Sequence, residues 1–210
     1  NGTSENRITE IVNGEGLPYD VSKNSCSVVI EAMQKRIGKK EGLDIRIKKG
    51  FDSGSGLGSS SASSAAAAVA FNAWAGNPFS LVELIPFAAE GERIACGTAH
   101  SDNVAPSILG GLVLLHDAKI VRLPMPEDLH AVLFFPKITI NTKGSRSIVK
   151  TEIPIQTVNR QVADMGAFVA SLYQKDMELL KASLHDLLVE PSRKMLIPKF
   201  DEMRAAAMKH

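Results

Sequence analysis

A glycine-rich loop followed by a run of small residues is the feature that most restricts how this chain can fold. The loop reads Gly-Ser-Gly-Leu-Gly-Ser-Ser over residues 54–60, and serine and alanine dominate residues 59–70. Glycines adopt positive φ angles and let a backbone approach a ligand closely. The N–H groups that open a helix attract anions. The segment therefore predicts a tight turn into a helix, with room for a phosphate group at the turn.

Two familiar phosphate-binding patterns do not fit this loop. No Gly-Lys-Ser/Thr follows the glycines, so the loop is not a P-loop, and Ser59 stands where a dinucleotide fingerprint requires its third glycine. The hydroxyls of Ser59 and Ser60 are expected within reach of a phosphate or of Mg²⁺. On this pattern alone a purely structural turn, whose small-residue helix packs against a neighbour, remains an alternative.

Hydrophobic periodicity predicts both strands and helices along the rest of the chain. Alternating or continuous apolar residues predict strands at 8–12, 43–47, 112–115, 120–123 and 130–135. Helical spacing predicts helices at 23–36, 59–75, 81–94, 151–174, 177–189 and 199–208. Because the two kinds of element do not alternate strictly, the expected fold class is α+β.

Local residues predict helix ends and a domain boundary. Ser22 is expected to cap the first helix, and Ser80 with Glu83 predicts a capping box at the start of another. Two prolines in 124–126 indicate a hinge. The chain is therefore expected to contain two domains, 1–125 and 126–210.

Composition argues against several classes of protein. The formal net charge is +1, which gives no reason to expect a nucleic acid or a membrane surface as partner. No apolar run reaches the roughly 18 residues that a membrane span requires. Cys26 and Cys96 form no CxxC pair and are expected to be reduced, buried thiols of a cytoplasmic protein. The Lys-Lys pairs at 39–40 and 48–49 are expected at solvated turn and strand ends.

A second polar cluster, at residues 90–106, gathers carboxylates, a histidine and an asparagine, and its part 97–106 is not expected to be regular for long. Carboxylates near an anion-binding loop suggest Mg²⁺, which prefers oxygen ligands. His100 with Asp102 offers acid–base chemistry, but two such residues in a turn are too few for a zinc site. Glu90 and Arg93 are expected to form a surface ion pair on a helix.

Both segments resemble the GHMP small-molecule kinases. Residues 54–60 match the phosphate loop of that family, although Asp52 replaces its usual proline. The run His-Ser-Asp-Asn-Val-Ala-Pro at 100–106, followed by Gly110-Gly111, resembles the branch that phosphorylates homoserine. The resemblance covers essentially the whole chain. It implies the two-domain GHMP fold, with a ribosomal-protein-S5-like first domain and a ferredoxin-like second domain, here expected to be truncated at both ends.

The resemblance also implies roles for individual residues. ATP would contact Asn24 and the loop residues Gly54, Ser55, Gly56, Leu57, Gly58, Ser59 and Ser60. Mg²⁺ would be bound by Ser60 and Glu92. Catalysis would involve Asn103, Thr142 and Arg146, and L-homoserine would contact Asn103, Arg146 and Arg193. Asn103 cannot accept a proton at neutral pH and would only orient the hydroxyl, so His100 and Asp102 stay open as proton acceptors.

The implied reaction transfers the γ-phosphate of ATP to the side-chain hydroxyl of L-homoserine, giving O-phospho-L-homoserine for threonine biosynthesis. Such transfer depends on positioning and charge neutralisation. Arg146 and Arg193 suit the substrate carboxylate, because a planar guanidinium binds it with two hydrogen bonds. The alternatives are a GHMP kinase for another small alcohol and a non-catalytic nucleotide-binding domain. No nucleic acid or membrane partner is expected, and a homodimer is left open.

Overall fold

The computed structural model describes residues 5–51, 55–117, 119–134, 138 and 148–209, apart from the side chain of Cys96. Its elements in chain order are β1 (Arg7–Val12), α1 (Ser25–Ile37), β2 (Asp44–Lys48), α2 (Ser59–Trp74), α3 (Leu81–Cys96), α4 (Val104–Leu109), β3 (Leu112–His116), β4 (Lys119–Leu123), α5 (Ile155–Gln174), α6 (Met177–Ser183), α7 (Glu190–Arg193) and α8 (Phe200–Ala207). The chain divides into two compact units, 1–119 and 120–210, and the predicted domains 1–125 and 126–210 stay a prediction.

The first unit contains a pair of parallel strands, β1 and β2, with α1 in the connection between them. Ile8 pairs with Ile45 and Ile11 with Ile47, and the register shifts once, between Ile8 and Glu10. Alternate residues of β2 are buried, as its period-two pattern predicts, so that Ile45 and Ile47 face the core. The same alternation places residue 49, directly after β2, on the side that faces the core.

Helices α1, α2 and α3 pack against one another and form the core of the first unit. Several of their apolar side chains are completely buried: Val29, Met33, Ala68, Leu84 and Ala88. The three helices meet at Gly91 of α3. A Cβ added there would lie 2.4 Å from Ser64 Oγ, 2.9 Å from Ser25 O and 2.9 Å from Val29 Cγ2. The serine- and alanine-rich sequence of α2 therefore permits unusually close helix packing.

The caps of the helices follow the sequence with one correction. Ser80 and Glu83 form the predicted capping box of α3, and Gly38 ends α1 with a φ of +73°. The prediction that Ser22 caps the first helix is wrong, because Asn24 is the N-cap and its Oδ1 accepts from Cys26 N at 3.0 Å. Ser22 instead belongs to a short 3-10 turn, in which its N–H and its hydroxyl both donate to Asp20 Oδ1.

Two further predictions of secondary structure are wrong in part. The helix predicted at 177–189 is shorter, because α6 ends at Ser183 and the Asp186 carboxylate accepts from the backbone N–H groups of residues 188–190. The predicted strand at 130–135 is absent from its described part, 130–134, where Val132 and Phe134 are 78% and 75% exposed. A strand needs a neighbour for its ladder of hydrogen bonds, and the described residues supply none there.

The second unit is mainly helical over the part of it that the structure describes. Helix α5 begins immediately after Pro154 and packs against α6, with Leu172 and Leu180 buried. Pro154 supports this start, because proline is tolerated at a helix N-terminus but not in its interior. The described residues contain no helix that is long and apolar enough to span a membrane.

Candidate active site

The glycine loop enters α2 through two residues in the left-handed region. Gly56 has a φ of +78°, and Gly58, the N-cap of α2, has a φ of +70°. Within the described part of the chain, no side chain caps this helix. The N–H groups of its first turn therefore lack the usual side-chain acceptor, which leaves them suited to an anion. The predicted turn into a helix is confirmed from Ser55 onward, while Gly54 lies outside the described residues.

The second polar cluster lies beside this loop. A Cβ added to Gly58 would lie 3.5 Å from both Cβ and Cγ of Asn103 and 3.6 Å from its Oδ1. Asn103 is exposed and precedes α4, which packs against both α2 and α3. Asp102 Oδ1 accepts from Asn103 N at 2.9 Å, and Ser107 Oγ donates to Asn103 O at 2.7 Å. The turn thus holds the Asn103 amide next to the start of α2.

Lys49 is part of the same region, although the sequence predicted a solvated residue. It is only 7% exposed, and its Nζ donates to Ser59 O at 2.6 Å and to Ser63 Oγ at 2.5 Å. The prediction is wrong because Lys49 N still pairs with Val12 O, so residue 49 continues the inward alternation of Ile45 and Ile47. That period of two was visible in the sequence and would have identified Lys49 as inward-facing.

Electrostatic interactions connect Lys49 with two neighbouring helices. Burial lowers the pKa of Lys49, whereas Cys26 of α1 and Glu92 of α3 act in the opposite direction and favour its charged form. Cys26 is a buried free cysteine, as predicted, and its Sγ lies 3.5 Å from Ser63 O. Burial raises the pKa of the Cys26 thiol, whereas the charge of Lys49 acts in the opposite direction.

Glu92 is the carboxylate that the structure buries near the start of α2. It is 5% exposed and follows Gly91, which contacts Ser64 of α2. Ser60 is half-buried in the first turn of α2. A carboxylate and a hydroxyl are hard oxygen donors of the kind that Mg²⁺ prefers, so the donor set fits this ion. No group of three His, Cys, Asp or Glu residues gathers among the described residues, and Mg²⁺ typically completes its coordination with water and phosphate oxygens.

Glu90 differs from Glu92 in its surroundings. Arg93 donates to Glu90 through Nε at 3.0 Å and through Nη2 at 3.2 Å, which confirms the predicted surface ion pair. This partner lowers the pKa of Glu90. Glu90 is thus occupied by a neighbour on its own helix, and Glu92 is the better candidate for a metal ligand.

Asn24 and the remaining predicted residues have the following surroundings. Asn24 is 3% exposed, and besides capping α1 it donates through Nδ2 to Pro18 O at 2.9 Å. Its predicted contact with nucleotide stays a prediction.

The other predicted site residues lie on the glycine loop or in the second unit. Ser55 is half-buried, and Leu57 is 39% exposed on the loop. Arg193 lies half-buried at the end of α7 in the second unit. Thr142 and Arg146 lie outside the described residues.

Comparison with known proteins shows which proteins this chain resembles. Residues 24–111 match the family described as the GHMP kinases N terminal domain. A homoserine kinase of Methanococcus maripaludis is 37% identical over 206 residues, which make up 96% of this chain and 68% of that protein. This chain belongs to the homoserine kinase family. Another member, from Chlorobium phaeobacteroides, is 39% identical over 208 residues, or 94% of this chain and 65% of that protein.

Solved structures extend the similarity to the fold of this homoserine kinase family member. The crystal structure of homoserine kinase from Cytophaga hutchinsonii has a TM-score of 0.95 at 39% identity, covering 99% of this chain and 67% of that one. A mevalonate diphosphate decarboxylase from Legionella pneumophila, at 19% identity and a TM-score of 0.57, shares the fold alone. The predicted GHMP kinase fold of mixed α and β structure is thus confirmed. The chain spans about 65% of the length of several of its curated relatives.

Proposed function

We propose that the protein is an ATP-dependent kinase that phosphorylates the side-chain hydroxyl of L-homoserine and forms O-phospho-L-homoserine. The observation that supports this most is how closely Asn103 approaches Gly58. A Cβ added to Gly58 would lie 3.5 Å from Cγ of Asn103, so a polar amide that can orient a hydroxyl lies beside the candidate phosphate loop. Family membership gives the reaction class, and it gives homoserine as the expected acceptor.

In this proposal the residues of the first unit hold the nucleotide. Backbone N–H groups from Gly56 to Ser60 bind the β- and γ-phosphates, because they belong to the glycine loop and to the first turn of α2, which no side chain of the described part caps. Ser60 and Glu92 hold Mg²⁺, which when bound neutralises charge on the phosphates. Asn103 orients the acceptor hydroxyl. Asp102 is already used to hold the turn, since its Oδ1 accepts from Asn103 N.

The acceptor would be recognised through its carboxylate. Arg193, and Arg146 outside the described residues, are the candidates for this contact, since a guanidinium binds a carboxylate through two parallel hydrogen bonds. A substrate without a carboxylate would leave both arginines without a function in recognition. Discrimination between such substrates is therefore the sharpest test of the proposal.

The test measures ADP release by the full-length protein at saturating MgATP with four acceptors. These are L-homoserine, its decarboxylated amino alcohol, L-serine and mevalonate. We expect ADP release to depend on L-homoserine, with a much lower kcat/KM for the other three. Equal use of the amino alcohol would contradict the carboxylate contact, and preference for mevalonate would reassign the substrate. Absence of turnover with every acceptor would favour a non-catalytic nucleotide-binding domain.

Gly56→Val tests the phosphate loop separately. A Cβ at Gly56 would meet no described atom within 4 Å, so the cost of the substitution to the fold comes from its positive φ rather than from a clash. It would block close approach of the phosphates, and we expect calorimetry to detect no ATP binding. Gly38→Val is the matched control, because Gly38 also has open space and a positive φ, +73° against +78°. Both variants should lose about 1–3 kcal/mol of stability, but only Gly56→Val should fail to bind ATP.

A further inference from the structure

Lys49 is a buried cation beneath the start of α2, and the mechanism proposed above gives it no role. Besides the two hydrogen bonds from its Nζ to Ser59 O and Ser63 Oγ, the Ser63 hydroxyl itself donates to Ser59 O at 3.0 Å. Burying an ammonium group costs free energy, and an apolar residue in line with Ile45 and Ile47 would avoid that cost. A buried, perturbed lysine beside a candidate site is itself a candidate for function.

The Ser59 carbonyl, which accepts a hydrogen bond from Lys49, belongs to the same peptide unit as the N–H of Ser60. Because the peptide bond is planar and trans, the Ser59 carbonyl and the Ser60 N–H point in opposite directions. Fixing one of them therefore fixes the other. Ser60 is the second residue of α2, so its N–H is among those that lack an acceptor within the helix. It points back toward the glycine loop, where the nucleotide phosphates are proposed to bind.

The Lys49 ammonium also changes the strength of that donor. A cationic donor on a carbonyl polarises the peptide unit, so the N–H at its other end becomes a better donor. We propose that Lys49 is a positioning residue that directs and strengthens the Ser60 N–H for the phosphates of the bound nucleotide. This inference rests on the proposed function, since it assigns Lys49 to the same nucleotide site.

A purely structural role for Lys49 predicts a different pattern of binding. In that case its hydrogen bonds would only keep β2 against α2, and their loss would loosen the whole site. The affinity for every part of the nucleotide would then fall together. If Lys49 acts through the Ser60 N–H, the loss should be confined to the phosphates, so ATP should be affected and adenosine should not.

The experiment compares Lys49→Met with wild type and with Lys35→Met in the full-length protein. Methionine keeps the length of the buried side chain, and Lys35 is an exposed lysine in the last turn of α1, which controls for one lost charge. Dissociation constants for MgATP and for adenosine are measured by NMR titration, which also reads weak binding. We expect Lys49→Met to raise the dissociation constant for MgATP by about tenfold or more and that for adenosine by less than about twofold. Lys35→Met should match wild type for both.

Each other outcome overturns the inference. Unchanged ATP binding by Lys49→Met, with normal phosphoryl transfer by wild type, would reject the role of Lys49 and leave the proposed function standing. Equal weakening of ATP and adenosine would show a structural role. If wild type itself binds no ATP, the proposed function fails, and the role of Lys49 fails with it. Should Lys49→Met not fold, Lys49→Gln keeps a neutral, shorter donor and carries the same expectation.

Discussion

Glu92 and Glu90 lie on the same helix, but their surroundings suit them to different roles. Glu92 is 5% exposed and interacts electrostatically with Lys49, near the start of α2. Glu90 is partly exposed and bound by the Arg93 guanidinium. This ion pair contributes little to the stability of the protein because water screens it. At the residue scale, the surroundings of the two carboxylates rather than their chemistry separate a candidate ligand from a surface ion pair.

Glu92→Gln and Glu90→Gln form a matched pair on α3. Glutamine keeps the shape of the side chain but removes the charge. We expect Glu92→Gln to lower kcat by about 100-fold or more, because a carboxylate ligand to Mg²⁺ helps to neutralise charge during transfer. Glu90→Gln should keep near-normal turnover. Steady-state ADP release at saturating L-homoserine measures both, and near-normal kcat in Glu92→Gln would remove Glu92 from the metal site.

At the scale of elements, the small residues of α2 and α3 bring the site together. Gly91 allows α3 to approach Ser64 of α2 and the backbone of Ser25 in α1, and Glu92 is the next residue. Helix packing through small residues therefore sets where the Glu92 carboxylate lies. The serine–alanine run after the glycine loop serves this contact as well as the loop itself.

Gly91→Ala should destabilise the protein, although alanine is the better helix former. The added Cβ would lie 2.9 Å from Ser25 O, a backbone atom that cannot move aside cheaply. We expect a loss of about 1–3 kcal/mol, measured by denaturant unfolding with the single tryptophan, Trp74, as fluorophore.

The control for Gly91→Ala is Gly166→Ala in α5. Gly166 also lies inside a helix, but an added Cβ would meet no described atom within 4 Å. Gly166→Ala should therefore stabilise its helix by about 0.5–1 kcal/mol, since glycine is a poor helix former. Because Trp74 lies in the first unit, this variant is best followed by circular dichroism. Stabilisation by both substitutions would contradict the close packing at Gly91.

At the scale of the whole molecule, the candidate residues are divided between two compact units. The glycine loop, Glu92 and Asn103 belong to the first unit, and Arg193 belongs to the second. Arg193 ends α7, whose Glu190 is bound by Arg204 of α8. In the proposed function, nucleotide binding therefore depends on the first unit and recognition of the acceptor carboxylate depends on the second.

Arg193→Leu should separate these two properties. We expect kcat/KM for L-homoserine to fall by an amount equivalent to about 2–5 kcal/mol, because one partner of a charged pair is removed. The affinity for ATP should not change, and the preference over the amino alcohol should largely disappear. Arg204→Leu is the control, since it breaks an ion pair in the same unit. It should lower the free energy of unfolding by about 1 kcal/mol at most. A loss of ATP affinity in Arg193→Leu would contradict the assignment.

Features that depend on a few neighbouring residues were determined by the sequence alone. They include the turn from Gly58 into α2, the capping box of Ser80 and Glu83, the alternation of β2 and the ion pair of Glu90 with Arg93. Each arises from interactions within about four positions along the chain, where backbone geometry fixes which groups can meet. The resemblance to the GHMP kinases rested on the same local segments.

The tertiary structure decided what depends on distant residues. Residues 130–134 form no strand, and Lys49 lies under α2 instead of in solvent. The sequence names the residues around the phosphate loop, but the close approach of Asn103 to Gly58 follows from how α4 packs on α2 and α3. Burial and strand pairing depend on which surfaces meet in three dimensions, and a local pattern does not contain that information.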